Sequence, residues 1–204
     1  MRRLEWLLIL FMAFLPKVLF AADFPEYPAK AAKEYSGAIT IAGLTVGVEP
    51  LADPAAQKRY FGANLSEKGF LPVFMVIENG SPGESFILMR EDVGTYVGGE
   101  QEPTSGEVVS GRSRFGEDYM LLSAITLSIG GMAIASHFMA KATQVRQNVI
   151  KKELRSSTLS PSQMNRGFVY VALPPDPAKR RYLRMRVRVT KVGTDQPIDF
   201  EFPI

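Results

Sequence analysis

Residues 182–192 read YLRMRVRVTKV and residues 198–202 read IDFEF. Both alternate strictly. In an extended chain successive side chains point to opposite faces. Leu183, Met185, Val187 and Val189 therefore share one face, and Arg184, Arg186 and Arg188 share the other. The second stretch sets Ile198, Phe200 and Phe202 against Asp199 and Glu201, and the residues between fit a hairpin loop. A register that turns both apolar sets inward places Arg188 and Arg186 near Asp199 and Glu201. Opposite charges facing each other across strands help to fix register. Lys179, Arg180 and Arg181 would enlarge an anion-binding face here, but the acids on the neighbouring strand favour a structural role for the arginines.

Outward from this hairpin the chain offers more strands. Residues 167–173 (GFVYVAL) and 70–78 (FLPVFMVIE) are the clearest, and the latter is closed by the turn cluster Asn79-Gly80-Ser81-Pro82-Gly83. Pro72 suits the start or edge of its strand, because it cannot donate to a ladder. Residues 85–89 begin a further strand. Ile39, Ile41, Leu44, Val46 and Val48 alternate with a phase change at Gly43, which predicts a bulge or turn. Residues 57–69 read as a short helix or turn, with Tyr60, Phe61 and Leu65 on one face and Gly69 as its stop. Residues 23–36, with two prolines and no period, read as an extended leader. Residues 90–118 read as a loop holding at most one short hairpin.

The second informative stretch is residues 121–140, LLSAITLSIGGMAIASHFMA, with no acid, Lys or Arg. Residues 141–156 follow as an amphipathic basic helix striped by Val145, Val149 and Leu154, ended by Leu159-Ser160-Pro161. The apolar run suits a ~30 Å hydrocarbon core. A true span, however, would put the two groups of strands on opposite sides of a membrane, and neither group makes a comfortable sandwich alone. Gly130-Gly131 would instead break the run into two short arms that return to the same side. A helix buried against the protein's own sheet is the third reading, suited by Ser123, Thr126, Ser128 and Ser136. The hairpin and the docked helix rank above the span. The expected contact residues for a membrane or partner are Leu121, Leu122, Ile125, Leu127, Ile129, Met132, Ile134 and Phe138. Lys141, Arg146, Lys151 and Lys152 are expected beside anionic headgroups.

The N-terminus has the layout of an export signal: Arg2-Arg3, an apolar core at residues 6–15, and Ala21-Ala22 for cleavage. Residues 1–22 are assigned to it, with an uncleaved anchor as the alternative. Net charge over the 204 residues is +3, but without Arg2, Arg3, Lys17 and Glu5 it falls to 21 basic against 20 acidic residues. That balance gives nucleic-acid binding no support. No cysteine is present, which excludes disulfides and thiolate chemistry, and His137 is the only histidine. His-based metal clusters and Cys–His pairs are therefore impossible. G-x-S-x-G, G-x-x-x-x-G-K-[ST] and G-x-G-x-x-G are all absent. No catalytic residue, metal site or cofactor is assigned. Asn64-Leu65-Ser66 and Asn79-Gly80-Ser81 match the glycosylation pattern, which is frequent by chance.

The segments 60–65 (YFGANL), 68–73 (KGFLPV) and 76–81 (VIENGS), with 158–163 (TLSPSQ) and 167–170 (GFVY), carry a resemblance. They resemble a loose set of uncharacterised bacterial envelope proteins with an immunoglobulin-like domain. It covers the second and last quarters of the chain, and Ser162 stands where those proteins usually carry Gly. It implies a secreted or membrane-associated protein and no particular activity.

The expected fold is mainly β: an immunoglobulin-like antiparallel sandwich over residues 37–204, interrupted by a helical insertion at 119–156. The expected function is a non-enzymatic envelope module, exported to the periplasm or envelope membrane, that meets a membrane surface or an envelope protein through the insertion. Two rivals stand beside it. One is a hydrolase using Glu91, Asp92, Glu117 or Asp118, and the other is a periplasmic chaperone that donates a strand edge.

Overall fold

The computed structural model describes residues 24–97, 100–102 and 143–204. Among these, nine strands form two antiparallel sheets. The first contains β1 (Ile39–Ile41), β2 (Leu44–Pro50), β3 (Phe70–Asn79) and β7 (Met164–Ala172), in the order β1-β2-β3-β7. The second contains β4 (Phe86–Val97), β5 (Glu100–Glu102), β6 (Ser157–Leu159), β8 (Leu183–Lys191) and β9 (Gln196–Pro203). Its order is β5-β4-β8-β9, with β6 also on β4. One apolar core joins the two sheets. Val46, Met75, Ile77 and Val171 come from the first, and Phe86, Leu88, Met185, Val187 and Phe200 from the second. Two antiparallel sheets sharing a core are the arrangement of a β-sandwich.

The opening hairpin has the expected register. Arg186 lies opposite Glu201 and Arg188 opposite Asp199. Arg188 grips Asp199 with two bonds of 2.8 and 2.9 Å, and Arg186 reaches Glu201 at 2.7 Å. The Arg188 bond holds the Asp199 carboxyl below its ordinary range. The phase change at Gly43 is a two-residue turn between β1 and β2, with Ala42 at φ 50 and Gly43 at φ 78. Positive φ at both central residues matches the right-handed twist of a hairpin.

The first sheet is covered on both faces, which is why residues 70–78 show no alternation. The inner face of β3 is Val73, Met75 and Ile77; its outer face is Phe70, Phe74 and Val76, packed in a second cluster. A helix α1 (Pro54–Phe61) contributes Phe61 to that cluster. Asp53 caps α1 by accepting from Ala55 and Ala56 N–H, and Gly62 ends it at φ 83. The stretch read as an extended leader lies on the same layer. Ala32 and Tyr35 are buried, and a side chain at Gly47 would meet the Ala32 carbonyl at 2.4 Å.

Three expectations change, the first in part. Pro72 stands near the start of its strand, as one of its two readings had it, but the strand is central rather than an edge, since β3 pairs with both β2 and β7. Leu51 N–H donates to the Pro72 carbonyl at 2.8 Å, but Pro72 cannot return the bond. The fully buried Gln57 supplies it instead, its amide donating to the Leu51 carbonyl at 2.7 Å. Gln57 also accepts from Ser66 N–H at 3.0 Å. Gln57→Ala leaves the Leu51 carbonyl without its donor, while Ser66 N–H keeps its bond to the Asn64 Oδ1 at 3.2 Å; the loss is expected to be about 1–2 kcal/mol in urea unfolding.

Residues 90–97 form a strand rather than a loop, and β5 turns back on it. Four residues, Met89 to Asp92, stand where β8 has only Arg188, and this bulge hides the alternation. The third change concerns the basic helix, expected over 141–156. It is helical at 143–151 (α2), and the chain then becomes β6. Leu154 enters the sandwich core, and pairing with Phe86–Leu88 outweighs helix continuation.

Ser162 has φ 63, a left-handed value that favours glycine. Its N–H donates to the Asn79 carbonyl at 2.8 Å, so the turn is held despite the side chain. Ser162→Gly is expected to raise stability by up to about 1 kcal/mol, read as a higher melting temperature.

Candidate functional site

The part of the expected contact surface that falls within the described residues is α2 and its attachment. Leu121, Leu122, Ile125, Leu127, Ile129, Met132, Ile134, Phe138 and Lys141 lie outside the described residues, as do Glu117, Asp118 and His137. Among the described residues, no helix is long and apolar enough to cross a membrane.

α2 lies on the outer layer of the first sheet. Its stripe, Val145 and Val149, joins Phe61, Phe74, Phe168 and Tyr170 in the second cluster. Polar contacts then fix the helix. The Asn148 amide donates to the Tyr60 carbonyl at 2.6 Å, and the Tyr170 hydroxyl donates to the Val149 carbonyl at 2.8 Å. Burial raises the Tyr170 hydroxyl well above its ordinary pKa, and nearby Glu153 adds to the rise, so the group remains a donor.

Beyond α2 the chain rounds the edge of β7. Phe168 N–H donates to the Lys152 carbonyl at 2.8 Å, and Leu154 N–H donates to the Phe168 carbonyl at 2.9 Å. The crossing needs Gly167, where a Cβ would sit 2.6 Å from both the Cα and the N of Leu154. Glu153 pairs with Arg90 at 2.6 Å; burial pushes its carboxyl up, against the opposing pull of Arg90.

The structure separates the basic residues assigned to headgroups. Arg146 and Lys151 are exposed, whereas Lys152 is 7% exposed. Its ammonium donates to the carbonyls of Phe24, at 3.4 Å, and Pro25. The start of the described chain is thereby tied to the end of α2. Tyr27, two residues on, packs against Tyr60, Phe74 and Phe168 at ring separations of 4.7 to 5.3 Å. Its hydroxyl donates to Glu49 at 2.9 Å, and burial together with this bond pushes its pKa up. Sequence reasoning missed this packing of residues 24–36; the only trace is the aromatic content of the leader.

No catalytic constellation forms among the described residues. No group of three metal-ligating side chains occurs among the described residues. Glu91 is exposed and Asp92 half-buried, both on the bulge of β4. An open cleft of about 760 Å³ lies at the other end of the sandwich, lined by Ile41, Ser81, Glu84, Lys191 and Asp199 among others. Its charges are consumed by pairing, Glu84 with Lys191 and Asp199 with Arg188. Neither glycosylation match is open to modification in the fold. Asn64 is 8% and Asn79 1% exposed, and the Asn79 amide donates to the carbonyls of Glu84 and Leu159. Comparison with protein-family models, with curated proteins and with solved structures found no match.

Proposed function

We propose that this chain is a non-enzymatic envelope module: an immunoglobulin-like sandwich exported across a membrane and held to a membrane surface or envelope partner by the apolar run at 121–140. The observation that carries the reading is the attachment of α2. The helix that follows the apolar run is fixed to the sandwich by Val145, Asn148 and Val149. Lys152 at its end holds Phe24 and Pro25, which follow the apolar N-terminal stretch. A contact made by the apolar run at 121–140 is thus passed through α2 to the outer layer of the first sheet. The immunoglobulin-like assignment is supported by strand order. β2, β3 and β7 occupy the places of strands A, B and E, facing β4, β8 and β9 in the places of C, F and G. The left-handed turn at Ser162 stands where the resembling envelope proteins carry Gly.

The test is expression of the full chain with carbonate extraction and protease protection of the membranes. The chain is expected to stay with the membrane, with the sandwich on one side, and L127E combined with I129E is expected to release it. A wild-type chain recovered as a soluble monomer overturns the reading.

A further inference from the structure

The arginines of β8 are not all alike. Arg186 and Arg188 have acids opposite them, but Arg184 lies opposite Pro203. Just before it, residues 175–182 form an exposed loop holding the short helix α3 (Pro177–Arg180), with Lys179, Arg180 and Arg181. Among the described residues none of these four cations lies within ion-pair distance of a carboxylate. Asp176, the acid of this loop, accepts from Ala178 N–H as the cap of α3. Arg180 and Arg184 each donate one bond to a backbone carbonyl, of Pro174 and Leu183, and both residues are exposed. Tyr182 is 50% exposed, with the Arg181 guanidinium 4.6 Å from its ring centre. Uncompensated cations around a half-exposed tyrosine match a membrane–water interface, where aromatic rings and basic side chains both reside.

The place of this cluster in the fold is as informative as its charge. Leu173 N–H donates to the Gly69 carbonyl, so the loop leaves the sandwich at the end where β3 begins. Phe70 N–H donates to the Leu65 carbonyl, which brings the stretch after α1 to that end too. Phe24 packs its ring on Gly62 in that stretch, 2.4 Å from where a Cβ would stand. The cluster and the start of the folded chain at Phe24 therefore share one end of the sandwich, the end an uncleaved N-terminal anchor would leave from. The charge-paired cleft lies at the other.

We infer that Lys179, Arg180, Arg181 and Arg184, with Tyr182, form a docking surface for the anionic headgroups of a bilayer, and that this end of the sandwich faces the membrane. The inference rests on the membrane reading above for its orientation but not for its chemistry. Each basic residue at an anionic surface contributes roughly fivefold in partition, and the effect is screened within a Debye length.

The test is sedimentation of the full-length chain with vesicles of phosphatidylcholine alone, and with vesicles also containing phosphatidylglycerol. Wild type is expected to bind the anionic vesicles more tightly, and salt is expected to abolish the difference. The combined variant K179S/R180S/R181S/R184S is expected to lose that gain, on the order of several hundredfold, with only a small drop in melting temperature, since all four residues are exposed and only Arg180 and Arg184 each lose one bond to a main-chain carbonyl. R180K/R181K/R184K is expected to retain it. An equal gain in wild type and the serine variant overturns the inference, as does equal binding of wild type to polyglutamate without lipid. Binding to anionic vesicles through the cluster, with none to neutral ones, would instead remove the apolar-run reading and leave this one standing.

Discussion

Phe168→Ala is expected to lower the stability of the domain by about 3–5 kcal/mol. Phe168 is 1% exposed and touches the rings of Tyr27, Phe61 and Phe74 at centroid separations of 4.8 to 5.3 Å. The leader, α1, β3 and β7 thus meet at one side chain. The void left by Ala cannot be closed by one neighbour, because each is held by its own element. Urea unfolding would show the loss. Hydrogen exchange would show where it falls: residues 24–36 and α2 should lose protection, while the inter-sheet core around Met75 and Val187 keeps it. Uniform loss of protection across both sheets would contradict the division into two clusters.

Gly167→Ala is expected to cost several kcal/mol by a different route. The new methyl would stand 2.6 Å from backbone atoms of Leu154, and backbone cannot rotate aside as a side chain can. The crossing segment must move off β7, breaking both hydrogen bonds to Phe168 and drawing Leu154 from the sandwich core. Loss of two buried bonds and one buried leucine accounts for about 3 kcal/mol or more. Limited proteolysis should then cut within residues 143–156 in the variant and spare them in the wild type. Unchanged proteolysis with unchanged stability would show that the segment does not depend on this contact.

The two sheets were legible where one face of a strand is wet. Arg186 and Arg188 against Glu201 and Asp199 announced both the alternation and the register of β8 and β9. β3 was legible as a strand from its unbroken apolar content, but its central position was not, because Pro72 fits an edge as well as the strand start where it stands. The compensating donor, Gln57, lies outside the strand, and no local pattern connects the two. β4 was half lost because the bulge at Met89–Asp92 shifts its phase. The packing of residues 24–36 was hidden for a similar reason: its partner is the absent side chain of Gly47, and a missing atom leaves little trace in a sequence. In the basic helix, Val145 and Val149 were read correctly as a stripe, while Lys152 was read as a surface cation. A buried lysine satisfied by two main-chain carbonyls looks, in sequence, like any other lysine.

The bulge in β4 has one more consequence. It divides the outer rim of the second sheet, so that β6 occupies one end and β5 the other and neither strand exceeds three residues. The opposite rim is β9, with Pro197 near its start and Pro203 at its end. In the first sheet β1 is three residues long, and the free side of β7 is taken by the segment that follows α2. Among the described residues, these borders are short, flanked by proline or partly occupied, which limits the ladder a neighbouring copy could add. For the described part of the sandwich, self-association would have to run through side chains rather than through an added strand.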